Sequence, residues 1–316
     1  MQDTNSFLSH IEFLRTEIDK ALQKLPIDES PEYLYRPIKY IVKGKGKRLR
    51  PILVHLSGHI HNADPSELMK GSLAIELLHN FSLVHDDIMD GDDTRHNQPS
   101  VHKKWDESTA ILSGDALFAL SQLLLTDLDP TVHQRFNEVA LTVCEGQGFD
   151  KEFENNPSIK MDQYLLMISK KTGALLGLSS EIGGMIGGLN DKENNHLFEF
   201  GLNLGLAFQV QDDYLEIFSD ESIMGKSLGS DIHYQKQTAM SILAREKDLS
   251  SWNHFIKEKK DVKEFRKYFH SSGIESETKK LIKFYIDKAQ QNLSFISEKK
   301  RKNLILYSEL ILNREF

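Results

Sequence analysis

The chain has 316 residues, with 39 Lys plus Arg against 47 Asp plus Glu and a net charge of −8. That acidic balance argues against a nucleic-acid binder, whose surface would be basic. A hydrophobic share of 39% supplies a core without suggesting a membrane protein, and the length suits one large domain or two ordinary ones.

No run of about 18 or more apolar residues occurs, so no bilayer span is expected. The N-terminal MQDTNSFLSHIEFL lacks the basic and apolar regions of a signal peptide. A single cysteine, Cys144, precludes an internal disulfide and fits a reducing cytoplasm; its expected role is a small buried hydrophobe.

Along the chain the first notable segment is GKGKRLRP (44–51), where Lys47 and Arg50 stand three apart beside glycines that let backbone N–H groups approach phosphate. Asp64-Pro65-Ser66-Glu67 then reads as an N-cap, first-turn proline and N3 glutamate, opening a helix that runs into LVHDDIMDGDDTRH (83–96). At 100° per residue, His79, Ser82, Asp86 and Asp90 fall within a stripe of roughly 60°, with Asp87 on the flank. Two carboxylates one turn apart suit Mg²⁺, which takes one or two of them together with water and substrate phosphate. A solvated acidic helix end is the alternative for this cluster taken alone.

All eight prolines lie at or before Pro157, and their absence afterwards suits continuous helix. Lys170-Lys171-Thr172 is expected to open an apolar helix. Glycines at 173, 177, 183, 184, 187, 188, 201 and 205 recur about one turn apart, which predicts close helix–helix approach. A phosphate loop fits less well, because no strand precedes them. LAFQVQDDYLEIFSD (206–220) places Gln209, Asp212, Asp213 and Glu216 on one helical face among apolar residues. Unpaired buried carboxylates are costly, so this second cluster favours two acidic faces turned toward each other as a metal cage for a polyanion.

Arg95, Lys171 and, in GKSLGSDIHYQKQT (225–238), Lys226 and Lys236 supply cations for such an anion. The charged stretches 257–267 and 297–303 read as solvated helix ends. IESETKKLIKFYIDKAQQNLSFI (274–296) carries Leu281, Ile282, Tyr285, Ile286, Ala289, Leu293 and Ile296 at helical steps. Alternating strand patterns are hardly visible, so the whole chain, 1–316, is read as one all-α domain.

These motifs resemble those of the trans-isoprenyl diphosphate synthases, the polyprenyl synthetase family, over nearly the whole chain. DDIMD (86–90) and DDYLE (212–216) are similar to its two aspartate-rich motifs. GKRLRP, the arginine after the first motif, KT at 171–172, FQ at 208–209, GK at 225–226 and K-x-T at 236–238 follow in the family's order. The resemblance implies a bundle of long helices around a central cavity, usually a homodimer, with three Mg²⁺ per site. It implies Asp86, Asp90 and Asp212 as metal ligands, with Asp87, Asp213 and Glu216 close by or holding metal-bound water. Arg95, Lys171, Thr172, Gln209, Lys226 and Lys236 would contact an allylic diphosphate; Lys47, Arg50, His79 and His96 would hold isopentenyl diphosphate. The implied reaction is head-to-tail condensation through an allylic carbocation, with no protein nucleophile required and water excluded.

The chain departs from the family pattern in several places. His96 and Asn97 follow Arg95 where a second arginine and a glycine are usual; a largely neutral imidazole cannot grip phosphate as a guanidinium fork does. Glu216 ends the second motif, and Gln237 stands for a second lysine. Asp92 offers a longer reading of the first motif, although only Asp90 shares the stripe with Asp86. In the family a bulky residue at Phe81 followed by a small one, here Ser82, resembles the C20 producers, so geranylgeranyl diphosphate is the expected product. Farnesyl diphosphate, a longer polyprenyl chain, and a weakly active regulatory subunit that binds prenyl diphosphates are the alternatives. A terpene cyclase sharing the fold fits less well.

Overall fold

The computed structural model describes residues 2–44, 46–219, 237–257 and 261–313. The order begins with α1 (Gln2–Gln23), α2 (Glu32–Val42), α3 (Leu49–Gly58) and α4 (Pro65–Asp90). A hairpin of β1 (Thr94–Arg95) and β2 (Gln98–Pro99) follows, then α5 (Val101–Lys104), α6 (Glu107–Leu125), α7 (Pro130–Phe153), α8 (Met161–Ile168), α9 (Ala174–Ile186) and α10 (Asp191–Phe218). Helices Ala239–Lys247, Leu249–Ile256, Val262–Ser271, Ile274–Asn292 and Glu298–Asn313 complete the described chain. This is the expected all-α architecture; the hairpin, paired Thr94 to Pro99 and Arg95 to Gln98, is its only sheet among the described residues.

Local chemistry sets the ends of the two helices that carry the acidic motifs. Asp64 Oδ1 accepts from the Ser66 and Glu67 amides at 2.8 and 3.1 Å, and Pro65 occupies the first turn of α4 as read from sequence. Such a cap is worth about 1 kcal/mol. The helix stops at Gly91, whose φ of 69° closes the last turn. At the other wall, Asn190 and Glu193 cap α10 reciprocally, and its 28 residues bury Leu197, Phe200, Leu204, Ala207 and Val210.

The recurring glycines bring helices together. A Cβ at Gly201 of α10 would lie 2.2 Å from the carbonyl oxygen of Leu176 on α9, so those backbones meet with nothing between them. Helix α4 packs on α3 and α6, and α10 on α9 and on Ile274–Asn292. In that last helix and the short turn after it, Ile282, Tyr285, Ala289, Leu293 and Ile296 are buried in the main core as their spacing predicts.

One expectation is corrected here. Cys144 is exposed rather than buried: on α7 it faces the central cavity next to buried Val143. Helix α6 is long and apolar enough to cross a membrane by length and composition, with a mean hydropathy of 1.4, although 39% of that window is buried in the fold. Interspersed Ser113, Gly114 and Asp115 kept it from reading as an apolar run.

Candidate active site

One cavity of about 700 Å³ is enclosed by α3, α4, α7, α9, α10 and the hairpin. Along α4, His79, Phe81, Ser82 and Asp86 line it, while Asp90 is the last helical residue, one turn above Asp86. Asp92 lies beyond Gly91 and is exposed, its carboxylate accepting from Arg95 at 3.3 Å. Asp87 is buried and accepts from Arg95 Nε at 2.8 Å and from its terminal nitrogen, so it anchors Arg95. The hairpin makes that possible: His96 and Asn97 both take positive φ, 50° and 60°, the geometry of a tight two-residue reversal. Arg95 and His96 thereby return to the cavity wall.

On α10, Gln209 and Asp212 line the cavity opposite α4. Asp213 and Glu216 are buried instead. Asp213 accepts from Tyr164 Oη at 2.7 Å, the Ala239 amide at 2.8 Å and Gln209 at 3.4 Å, which ties α10 to α8 and to the helix after residue 238.

Lys171 and Thr172 do not open a helix, as their sequence suggests. They lie in a π-turn, Ser169–Gly173, inside a continuous helical run from α8 to α9. Gly146 on α7 makes room for it, because a Cβ there would come 2.2 Å from the Lys171 backbone nitrogen. Inserted turns of this kind recur at functional sites. Here it delivers Lys171 Nζ to Asp86 at 3.3 Å and Asp150 at 2.6 Å, while Thr172 donates to Gln209 at 3.0 Å. Across from it, Lys151 donates to Asp90 at 3.2 Å and to Glu154 at 2.5 Å. Lys47, Arg50 and His79 share another side of the cavity, with Arg50 3.1 Å from His79 Nε2. Lys226 and Lys236 lie outside the described residues.

The electrostatics follow from burial. It pushes the Asp86 carboxyl up; Lys171 opposes that and Asp90 adds to it. Burial lifts Asp87 and Asp213 to about 6 against the hydrogen bonds each accepts. It also draws Arg50 down to about 10 and His79 well below the usual imidazole range, with Arg50 reinforcing the latter. Arg50 Nε is buried and finds no acceptor in the protein. The site therefore offers buried cationic donors on one side and desolvated carboxylates on the other.

Magnesium fits these residues by donor chemistry. The acids available are hard oxygen ligands on two walls, and Asp86 and Asp90 are presently bonded to lysine ammonium groups that a metal would displace. Among the described residues no three His, Cys, Asp or Glu side chains converge as a ready metal site. Water and phosphate oxygens would have to complete the shell.

Several residues at or behind the cavity wall were not read from sequence. Gln147 and Lys151 line the cavity from α7 and Asp150 accepts from Lys171 beside them, but EGQGFDK (145–151) carried little signal, since α7 mixes polar and apolar residues along its length. Arg48 was passed over between Lys47 and Arg50, although it ion-pairs with Asp19 and Glu76. Tyr164 gave no signal, because only the fold brings its hydroxyl to Asp213.

A helical cavity with carboxylates on facing walls, cations between them and an apolar lower part defines an enzyme acting on diphosphate esters of apolar chains. Residues 31–271 match the Polyprenyl synthetase family. A geranylgeranyl diphosphate synthase of Methanosarcina mazei is 32% identical over 311 residues, 95% of this chain and 96% of the relative. A short chain isoprenyl diphosphate synthase of Methanothermobacter thermautotrophicus is 38% identical over 72% of each chain. The crystal structure of geranylgeranyl pyrophosphate synthetase from Pyrococcus horikoshii Ot3 superposes with a TM-score of 0.90 at 34% identity, covering 98% of this chain and 99% of the other. The chain belongs to the polyprenyl synthetase family, and it is a trans-prenyltransferase.

Proposed function

We propose that this enzyme joins isopentenyl diphosphate head to tail with an allylic diphosphate and releases geranylgeranyl diphosphate. The reading is carried by the shared cavity, which Asp86 and Asp212 both line together with apolar Phe81, Val143 and Leu175. Lys171, Thr172, Gln209 and Arg95 border the diphosphate of the allylic substrate, with Lys226 and Lys236 assigned there from sequence. Lys47, Arg50, His79 and His96 border that of isopentenyl diphosphate.

Asp86, Asp90 and Asp212 are assigned to Mg²⁺, with Asp87, Asp213 and Glu216 behind them. Bound Mg²⁺ supplies neutralisation of the charge that builds on the departing diphosphate. Lys171 holds the leaving group while the allylic C1–O bond breaks, and the apolar walls keep water from the carbocation. The isopentenyl double bond forms the new bond to C1, and the proton then lost passes to the released diphosphate.

The whole chain is taken as one domain and as half of a homodimer. Ile111 and Leu112 of α6 are each 47% exposed, Leu123 65% and Leu141 of α7 63%. A second copy would cover that apolar face. The single thiol fits a cytoplasmic location.

The test is incubation with labelled isopentenyl diphosphate and each of the C5, C10 and C15 primers, with products sized by chromatography. A C20 product that needs Mg²⁺ and disappears with a chelator supports the reading. Primer consumed without isopentenyl diphosphate, giving a cyclised hydrocarbon, overturns it.

A further inference from the structure

Arg48 stands between two residues assigned to isopentenyl diphosphate, yet its side chain is committed elsewhere. Its backbone is left-handed, with φ 53°, at the N-cap of α3. That region is uncommon for a residue carrying a side chain, and the surrounding structure must hold it there. The side chain is 5% exposed, and three of its five N–H donors bond to protein acceptors. Nε donates to Asp19 on α1 at 2.8 Å, one terminal nitrogen to Glu76 on α4 at 2.5 Å, and the other to the Gly44 carbonyl at 2.6 Å. Gly46 lies against the same group: a Cβ there would come 3.0 Å from a terminal nitrogen. Gly44 and Gly46 thus both lie against the guanidinium of Arg48, and Lys47 and Arg50 on either side of it in sequence line the cavity.

We propose that Arg48 is a positioning residue: by fastening this segment to α1 and α4, it sets the placement of Lys47 and Arg50 and so the affinity for isopentenyl diphosphate. The proposal rests on the assignment of Lys47 and Arg50 made above. A lysine at 48 cannot replace it, because a single ammonium lacks the fork that reaches three acceptors in different directions. Losing the fork also leaves buried Glu76 beside Arg50, whose charge it already feels. Arg50 would then be drawn from the cavity toward Glu76.

The experiment compares Arg48→Lys and Asp19→Asn with the parent enzyme, and Lys47→Ala serves as a control for the assignment. The Asp19 variant removes the negative charge of one acceptor, at a 40% exposed acid, and so keeps the test open if Arg48→Lys does not fold. KM for each substrate, kcat, and amide hydrogen exchange over residues 44–50 are measured. The expected result is faster exchange and a KM for isopentenyl diphosphate raised about ten-fold in Arg48→Lys and less in Asp19→Asn, with kcat and the allylic KM within about two-fold. Unchanged exchange in both variants, or both KM values rising together, overturns the proposal. Should Lys47→Ala leave KM for isopentenyl diphosphate unchanged, the assignment of the subsite fails, while exchange still decides whether Arg48 orders the segment.

Discussion

Lys171 stands 3.3 Å from Asp86, so the first acidic wall is met by a cation delivered from the π-turn between α8 and α9. Burial alone would pull that ammonium down, but Asp86 and Asp150 together hold it above its ordinary value. It remains charged throughout the neutral range and, on the proposed reading, would be available to the leaving group if Mg²⁺ took the carboxylate. Lys171→Ala should lower kcat by about 10²–10³-fold, the usual loss for one preorganised donor to developing negative charge. Rapid-quench turnover with saturating primer measures this; a loss confined to KM would place Lys171 in ground-state binding instead.

His96 sits at the hairpin tip, where partial burial, Arg95 and Arg48 all lower its imidazole from the usual value. It is therefore neutral at pH 7. His96→Arg should lower KM for isopentenyl diphosphate by about ten-fold, the scale of one charge-assisted contact. Protonation gives the wild type a partial substitute for that charge as pH falls. The ratio of wild-type to His96→Arg KM should accordingly rise as pH increases from about 5 to about 7, and a flat ratio over that range would remove His96 from the subsite.

Phe81 lies on the lower cavity wall, its ring 4.8 Å from that of His85 and 5.4 Å from that of Phe118. The next residue is small, and the Ser82 hydroxyl is turned back to the His79 carbonyl at 2.8 Å. Phe81→Ala should open this end and lengthen the product by at least one isoprene unit. Chromatography of the extracted alcohols reads the outcome; an unchanged distribution would show that the chain stops elsewhere.

His55 is buried in α3, its ring 6.2 Å from His59, which is 5.9 Å from His10 of α1. Burial, then the neighbouring histidines, depresses His55 to about 4. The unfolded chain takes up this proton near pH 6.5 and the folded protein only near 4. Between those values the unfolded state binds more protons, so stability is complete above about 6.5 and falls as pH drops, by up to about 1.4 kcal/mol per unit from this site. Urea midpoints at pH 7.5 and 5 should show the loss, and His55→Leu should reduce it.

What the sequence revealed about this site was mainly what local geometry decides. The cap at Asp64 and Pro65, the stripe holding His79, Ser82 and Asp86, and the shared face of Gln209 and Asp212 need only the pitch of one helix. Partners set by the tertiary fold were hidden. Nothing in the spacing says that a reversal at His96 and Asn97 returns Arg95 to Asp87, or that Tyr164 reaches Asp213. Cys144 was misread because a lone thiol is usually a small buried hydrophobe, whereas that part of α7 borders the cavity. Lys171 looked like the start of a helix because winding at that point is decided by bare backbone on a different helix, at Gly146.

That added residue in the helical ladder at Ser169–Gly173 has a consequence for how this gene can change. Deleting one codon there would return the run to regular winding with its flanking helices still in phase, so Tyr164 would keep Asp213 while the wide turn that carries Lys171 to Asp86 and Asp150 would be lost. A shortened gene could therefore encode a protein that folds yet lacks this cation at its acidic wall.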